Sequence, residues 1–416
     1  MTFRKAIYIL TTCLTLIMLS GCGSKHRDEP DPKPDPYVGT RTVLVYMVAD
    51  NTMSGFVTSD INEMKVGFAD AGINTSKSNL LVYVDSYSTN PTIYRLKRDA
   101  TGTVTDEIIY EYPIDHDSAS PEVIKDVINK VKSECPAEKY GFIYWSHGDG
   151  WVPYPLPTKS LKPMAGTEMK WIGIDVTRTS IPDLASALTA FGSKLDFLML
   201  DACFMLSVET IYQLQNVAES VISSPTEIPG PGAPYDAIVP KMFGSNVASN
   251  IVGSYYNYYA ATYDENAQNT NTKWTGGVSI GHVKTAALEN LAKATKKALA
   301  NHKSFNLDAL KKSVLNYDKR SVTSSSYIGY YDLYGVMENL LPAADFTTWK
   351  TAFGAAVFDF KTTPKNYSSF ADLFSMESAK GLSAYLPITE DSSSGMDLEY
   401  QNTAWYKDAG ISQLGW

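Results

Sequence analysis

The stretch Lys194-Leu-Asp-Phe-Leu-Met-Leu-Asp-Ala-Cys-Phe204 decides how this chain is read. Leu195, Phe197, Leu198, Met199 and Leu200 are apolar on both alternating faces, the pattern of a central parallel strand covered by helices on either side. Such a strand delivers Asp201 and Cys203 to its carboxyl end, where open α/β sheets place their ligand sites. A second apolar run, Tyr140-Gly-Phe-Ile-Tyr-Trp-Ser146, delivers His147 in the same way. A thiol and an imidazole at the ends of two central strands make a cysteine nucleophile the first chemistry to test.

Outward from these two runs, the same criteria predict buried strands over residues 42–49 and 79–85 and a short one over 218–224. Residues 92–112 read as a β-hairpin, with Thr101-Gly102 between two alternating runs. Helical spacing covers 56–68, and Ser120-Pro-Glu-Val opens another helix with a cap, a proline and an acid. Further helices follow at 181–191 and 207–217. Strands alternating with helices imply an α/β fold, a mainly parallel sheet with right-handed crossovers.

After Pro240 the character shifts to helix, with apolar periodicity over 251–263 and 285–300. Two strand-like segments interrupt it, at 277–283 and 381–386. This half therefore reads as a helical subdomain, 241–416, returning one or two strands to the sheet of a 39–240 core.

The amino terminus has a different logic. Arg4 and Lys5 precede a short apolar run, too short for a membrane span, that ends in Leu19-Ser20-Gly21-Cys22. That ending resembles the lipobox of bacterial lipoproteins. The resemblance implies removal of residues 1–21 and lipidation of Cys22, anchoring the protein in the bacterial cell envelope, at the outer membrane or the cell surface. Residues 22–38 hold Pro30, Pro32, Pro34 and Pro36 among charges of both signs. They read as an extended tether. A net charge of −9 argues against nucleic acid and favours cationic partners. With Cys13 in the removed signal, only Cys135 and Cys203 remain in the body, and a disulfide between them is not expected.

A cysteine needs a lowered pKa or a nearby base to act as a nucleophile. Cys203 is expected where its strand turns into a helix, whose amides would favour thiolate and an oxyanion. His147 would then handle protons. A buried cysteine or a packing histidine is the blander reading of each residue alone, and their equivalent strand ends favour the functional one. Among the other histidines, His26 lies in the tether and His302 in a polar turn. His116 looks solvated between Asp115 and Asp117, and His282, ending a strand in the second half, is the one rival.

These residues carry a family resemblance. Thr42-Val-Leu-Val-Tyr-Met-Val-Ala-Asp-Asn51, Trp145-Ser-His-Gly148, Leu200-Asp-Ala-Cys203 and Ser224-Pro-Thr-Glu-Ile-Pro-Gly230 run in the order seen in clostripain-type cysteine peptidases, relatives of caspases. Tyr331-Asp-Leu-Tyr334 and Gly381-Leu-Ser-Ala-Tyr-Leu-Pro387 continue it. The resemblance implies a caspase-like fold with Cys203 as nucleophile, His147 as its partner, and the amides of Gly148 and Cys203 binding the oxyanion.

It further implies that Asp201 lines the pocket for an Arg or Lys before the scissile bond, with Glu227 a weaker second acid. Maturation would cut the proline-rich loop after the histidine strand, at Lys159, Lys162 or Lys170. No cofactor is expected. Some family members need calcium, but no Asp-x-Asp-x-Asp-Gly loop is present, and calcium stays undecided. The expected partners are peptides or proteins with basic residues, and a lipid bilayer through the acylated terminus. One rival reading is a surface lipoprotein that keeps the fold as a silent binding protein; another is an envelope enzyme dedicated to one folded sibling protein.

Overall fold

Strand Gly39–Ala49 (β1) is buried almost end to end because its alternate side chains enter two different cores. Leu44, Tyr46 and Val48 pack into one, and Val43, Val45, Met47 and Ala49 into the other. This doubly covered geometry is what a near-continuous apolar run requires. The architecture comes from a computed structural model that describes residues 38–87, 89–151, 172–264, 277–320, 327–388 and 395–416.

Eight more strands join β1 in one sheet: Ser78–Ser86 (β2), Thr89–Arg98 (β3), Val104–Glu111 (β4), Ala137–Trp145 (β5), Phe197–Asp201 (β6), Ser220–Ser223 (β7), Ser279–Lys284 (β8) and Val357–Thr362 (β9). Their order across the sheet is β9-β8-β7-β6-β5-β1-β2-β3-β4. The five central strands are parallel, and an antiparallel pair closes each edge. The expected α/β class and mainly parallel sheet are both observed, and the 92–112 hairpin forms the β3–β4 edge.

Helices cover both faces. On one side lie Pro121–Glu134, Ile181–Leu188 and Val208–Gln213, which contribute Ile124, Val127, Leu184 and Ile211 to the first core. Ser120 caps the first of these by accepting from Val123 N, as its sequence predicts. On the other side lie Val57–Phe68 (α1), Tyr235–Ile238 and Val247–Ala260, with Met64, Phe68, Tyr235 and Ile251 in the second core.

The carboxyl-terminal half departs from expectation in one respect. Its first strand, β8, joins the main sheet, but the segment around 381–386 does not. Ser383–Tyr385 pairs instead with Tyr330–Asp332 in a separate two-stranded sheet. The second strand returned to the main sheet is β9, which follows directly on helix Ala343–Ala356. A small hairpin, Lys365–Ser368 with Asp372–Ser375, follows β9 and reaches the site described next.

Candidate active site

Register sets the geometry. β5 and β6 are parallel, and Trp145 stands opposite Asp201. Two residues further along each chain come His147 and Cys203, so the two strands release imidazole and thiol at the same level of the sheet. Both line one cavity of roughly 520 Å³ at the carboxyl ends of the central strands.

Three other segments complete the wall. Thr52, Met53 and Phe56 come from the turn after β1, and Glu227, Ile228, Pro229 and Gly230 from the segment after β7. Tyr367 and Ser369 come from the carboxyl-terminal hairpin. The wall from β1 was not foreseen as functional, although the Asp50-Asn51 strand end is visible in sequence.

His147 is held from several directions. Its Nε2 lies 2.8 Å from Thr52 Oγ1, and its carbonyl accepts from Gly173 N at 2.9 Å. The preceding residue, Ser146, donates through Oγ to Val48 O at 2.8 Å, bracing the end of β5 against β1. Gly148 has a packing reason to be glycine: a Cβ there would come within 2.7 Å of Ala202 Cβ and 2.9 Å of Met205 Sδ. The His147 and Cys203 turns touch at that point.

Asp149 comes next and forms a two-pronged ion pair with Arg320, at 2.7 and 3.0 Å. Arg320 also donates to Asp318 at 2.6 Å and lies over the rings of Phe204 and Phe370. A side chain from the carboxyl-terminal half thus reaches the residues following both His147 and Cys203.

Cys203 does not sit at a helix amino terminus. It occupies a turn in which Phe204 adopts a left-handed φ of 60°, and helix Val208–Gln213 begins only after its Ser207 cap. The expected helix contribution to thiolate is therefore missing. Burial instead pushes the thiol up to about 12, with the nearby Glu227 carboxylate adding to the effect. Ile228 N donates to Sγ at 3.4 Å and opposes the rise.

Asp201 is not among the residues lining the cavity. It is 2% exposed, and its Oδ2 accepts from Ala233 N at 3.2 Å and from Tyr235 Oη at 3.0 Å. Its Oδ1 is buried with no hydrogen-bond partner among the described residues. Burial pushes its carboxyl up to about 6. Asp60 of α1, missed in sequence, accepts from Trp145 Nε1 at 2.8 Å and is pushed up to about 8 by burial and by Asp201. Glu227 does face the cavity, with its carboxylate taken by Ser369 N and Oγ at 2.9 and 2.5 Å.

The remaining candidates separate cleanly. His282 is 4% exposed on β8 and contacts Ser220 Oγ at the amino end of β7, the opposite end of the sheet from Cys203. His116 is half-buried, not solvated: it bonds Tyr83 Oη at 2.8 Å and packs against Tyr112. Cys135 and Cys203 are both free thiols. Among the described residues, no group of three acidic, cysteine or histidine side chains is placed to hold a metal, and no helix is long and apolar enough to cross a membrane. Cys22, His26, Lys159, Lys162 and Lys170 lie outside the described residues.

A model of the clostripain family matches residues 45–416. The chain is 24% identical over 406 residues to clostripain from Hathewaya histolytica, an alignment spanning 83% of this chain and 74% of that protein. It is also similar to the crystal structure of a secreted C11 cysteine protease from Bacteroides thetaiotaomicron bound to an irreversible peptide inhibitor. That match has a TM-score of 0.78 at 36% identity, over 90% of this chain and 99% of the other. An inactive zymogen C11 protease from Parabacteroides distasonis gives a TM-score of 0.71 at 27% identity, covering 90% of this chain and 99% of its own.

Proposed function

The chain belongs to the clostripain family and is a cysteine peptidase, and on that premise we propose that it cuts after Arg or Lys using Cys203 and His147. The observation that carries the assignment is the β5–β6 register, which brings thiol and imidazole to one level of one cavity. Cys203 Sγ attacks the scissile carbonyl carbon. Its proton passes to His147, which gives it to the leaving amine, and water then hydrolyses the thioester and restores the thiol. Burial raises the thiol, so transfer of its proton to His147 is part of the attack. The amides of Gly148 and Cys203 are the proposed oxyanion donors.

Support for basic specificity comes from Asp201, whose Oδ1 is an uncompensated buried oxygen with Asp60 close behind it. A guanidinium or ammonium group would satisfy both, once the segment 229–233 above Asp201 gives way. Glu227, tied to Ser369 at the cavity wall, is the weaker candidate for contacting a basic side chain.

Two finer proposals rest on less. Self-processing at Lys159, Lys162 or Lys170 is supported by the flanks of that segment, since Gly148 bridges to Ile172 beside His147. Envelope anchoring through Cys22 rests on the amino-terminal sequence.

The test is to incubate wild-type and Cys203→Ala protein with a peptide library and map the cuts by mass spectrometry. Cuts after Arg and Lys by the wild type alone support the proposal. Cuts after other residues refute the specificity, cutting by Cys203→Ala refutes the nucleophile, and no cutting at all favours a silent binding protein.

A further inference from the structure

Asn51 and Thr52 form a small rigid device at the end of β1. Asn51 Nδ2 donates to Val48 O at 2.9 Å and to Ile174 O at 2.8 Å, and its Oδ1 accepts from Met53 N at 2.8 Å. Asn51 is 4% exposed, so these bonds are shielded and fix the backbone on both sides of Thr52. Ile174 N in turn lies 3.4 Å from Ser146 Oγ, which itself bonds Val48 O. The ends of β1 and β5 are thereby cross-braced, and Thr52 Oγ1 is held 2.8 Å from His147 Nε2.

From this juxtaposition we infer that Thr52 is a positioning residue for His147, its hydroxyl oxygen accepting the Nε2 proton so that the ring's other nitrogen, Nδ1, exchanges the proton with Cys203. The inference rests on the proposed role of His147.

The chemistry needs such a group. A neutral imidazole carries its proton on either nitrogen, and only one tautomer presents a lone pair to the thiol. Once His147 has taken the thiol proton both nitrogens are donors, and an acceptor at Nε2 stabilises that cation and holds the ring plane. A hydroxyl serves both stages, because its oxygen accepts while its own proton can turn elsewhere. It does so without placing a further negative charge near a thiol that Glu227 already disfavours from ionising. Thr52 faces the cavity, and bound substrate would remove the water that otherwise competes for its bond.

Thr52 also lines the space a substrate enters, so a plain binding role is the competing explanation. The test compares wild type with Thr52→Val, Thr52→Ser, Thr52→Ala and His147→Ala. It measures kcat and KM separately on one basic peptide, with the state of the 152–171 segment matched between variants on a gel and folding checked by thermal melting.

Thr52→Val keeps the branched shape and loses the acceptor. The expected result is a fall in kcat of about tenfold, with KM and melting temperature held and most of the rate restored in Thr52→Ser. A Thr52→Val enzyme whose kcat stays within about threefold of wild type, or whose loss is carried by KM, overturns the inference. Thr52→Ala should match Thr52→Val, and a fully active Thr52→Ala overturns the inference too. His147→Ala separates the two levels. If it turns over normally, the reading of His147 fails; if it is inactive beside a fully active Thr52→Val, only the role of Thr52 fails.

Discussion

Asp201 accepts from Ala233 N and Tyr235 Oη through one oxygen while the other, equally buried, has no partner among the described residues, so the same carboxylate anchors the segment above it and keeps charge in reserve. Asp201→Asn removes the charge and retains an acceptor for both bonds. It should lower kcat/KM on Arg and Lys peptides at least about tenfold more than on neutral ones, with little change in melting. Equal losses on both would mean the carboxylate is structural only. Gly148→Ala probes a different contact: its Cβ would collide with Ala202, pushing the histidine and cysteine turns apart, so kcat should fall while the fold survives. Sequence made Asp201 legible because it stands two residues from a thiol at a strand end. Asp60 was hidden, since an acid in the first turn of a helix has a sufficient local reason to be there. The resting state of Cys203 differs from expectation because strand-to-helix spacing does not reveal the six residues, Ala202 to Ser207, that separate the strand from the helix.

Helices and strands brought together across the two halves of the chain show what one buried ion pair does for the site. Arg320 is clamped between Asp149 and Asp318, with 5% of its side chain exposed. Removing one member of a buried pair strands the other charge and costs about 3–5 kcal/mol. Arg320→Met should therefore lower stability to denaturant by that order and depress kcat, because Asp149 follows Gly148 directly. Adding Asp149→Asn should recover part of the stability, as the orphaned charge is gone. Neither partner announced itself in sequence, being 171 positions apart. Elements with turn or cap signals were legible, such as the Thr101-Gly102 hairpin and the Ser120 cap. Strand β9 was not: it alternates correctly, but it continues directly from a helix with no loop between them, and Gly354 falls inside the last helical turn rather than at the change. For the segment around 381–386 the strand character was right, but partner choice is a tertiary matter that local pattern leaves open.

Across the whole molecule, buried acids set the pH dependence of stability in an unusual direction. Burial is the leading cause that pushes Asp85 and Asp60 up to about 8, Glu209 to about 7 and Asp201 to about 6. An acid raised in the folded state binds more protons there than when unfolded, so its burial costs most at high pH. Stability should then fall as pH rises from about 4 through about 8, the reverse of a protein held by salt-bridged carboxylates. Thermal melts across that range check the slope. Asp85→Asn, removing a buried carboxylate that burial pushes up to about 8, should raise the melting temperature at the alkaline end and have little effect at the acidic end. A rising or flat profile would show these acids to be compensated in solution. The alternating pattern of the chain made the parallel core legible as a whole, whereas the order of nine strands emerges only from packing.

The account depends most on Cys203 being the nucleophile of a site that accepts basic side chains. Treating the protein with a lysyl or arginyl chloromethyl ketone and locating the adduct by peptide mapping tests this directly. One adduct on Cys203, none on the 2%-exposed Cys135, and far slower labelling by a neutral analogue is the predicted result. No adduct, or an adduct on Cys135 instead, would contradict it.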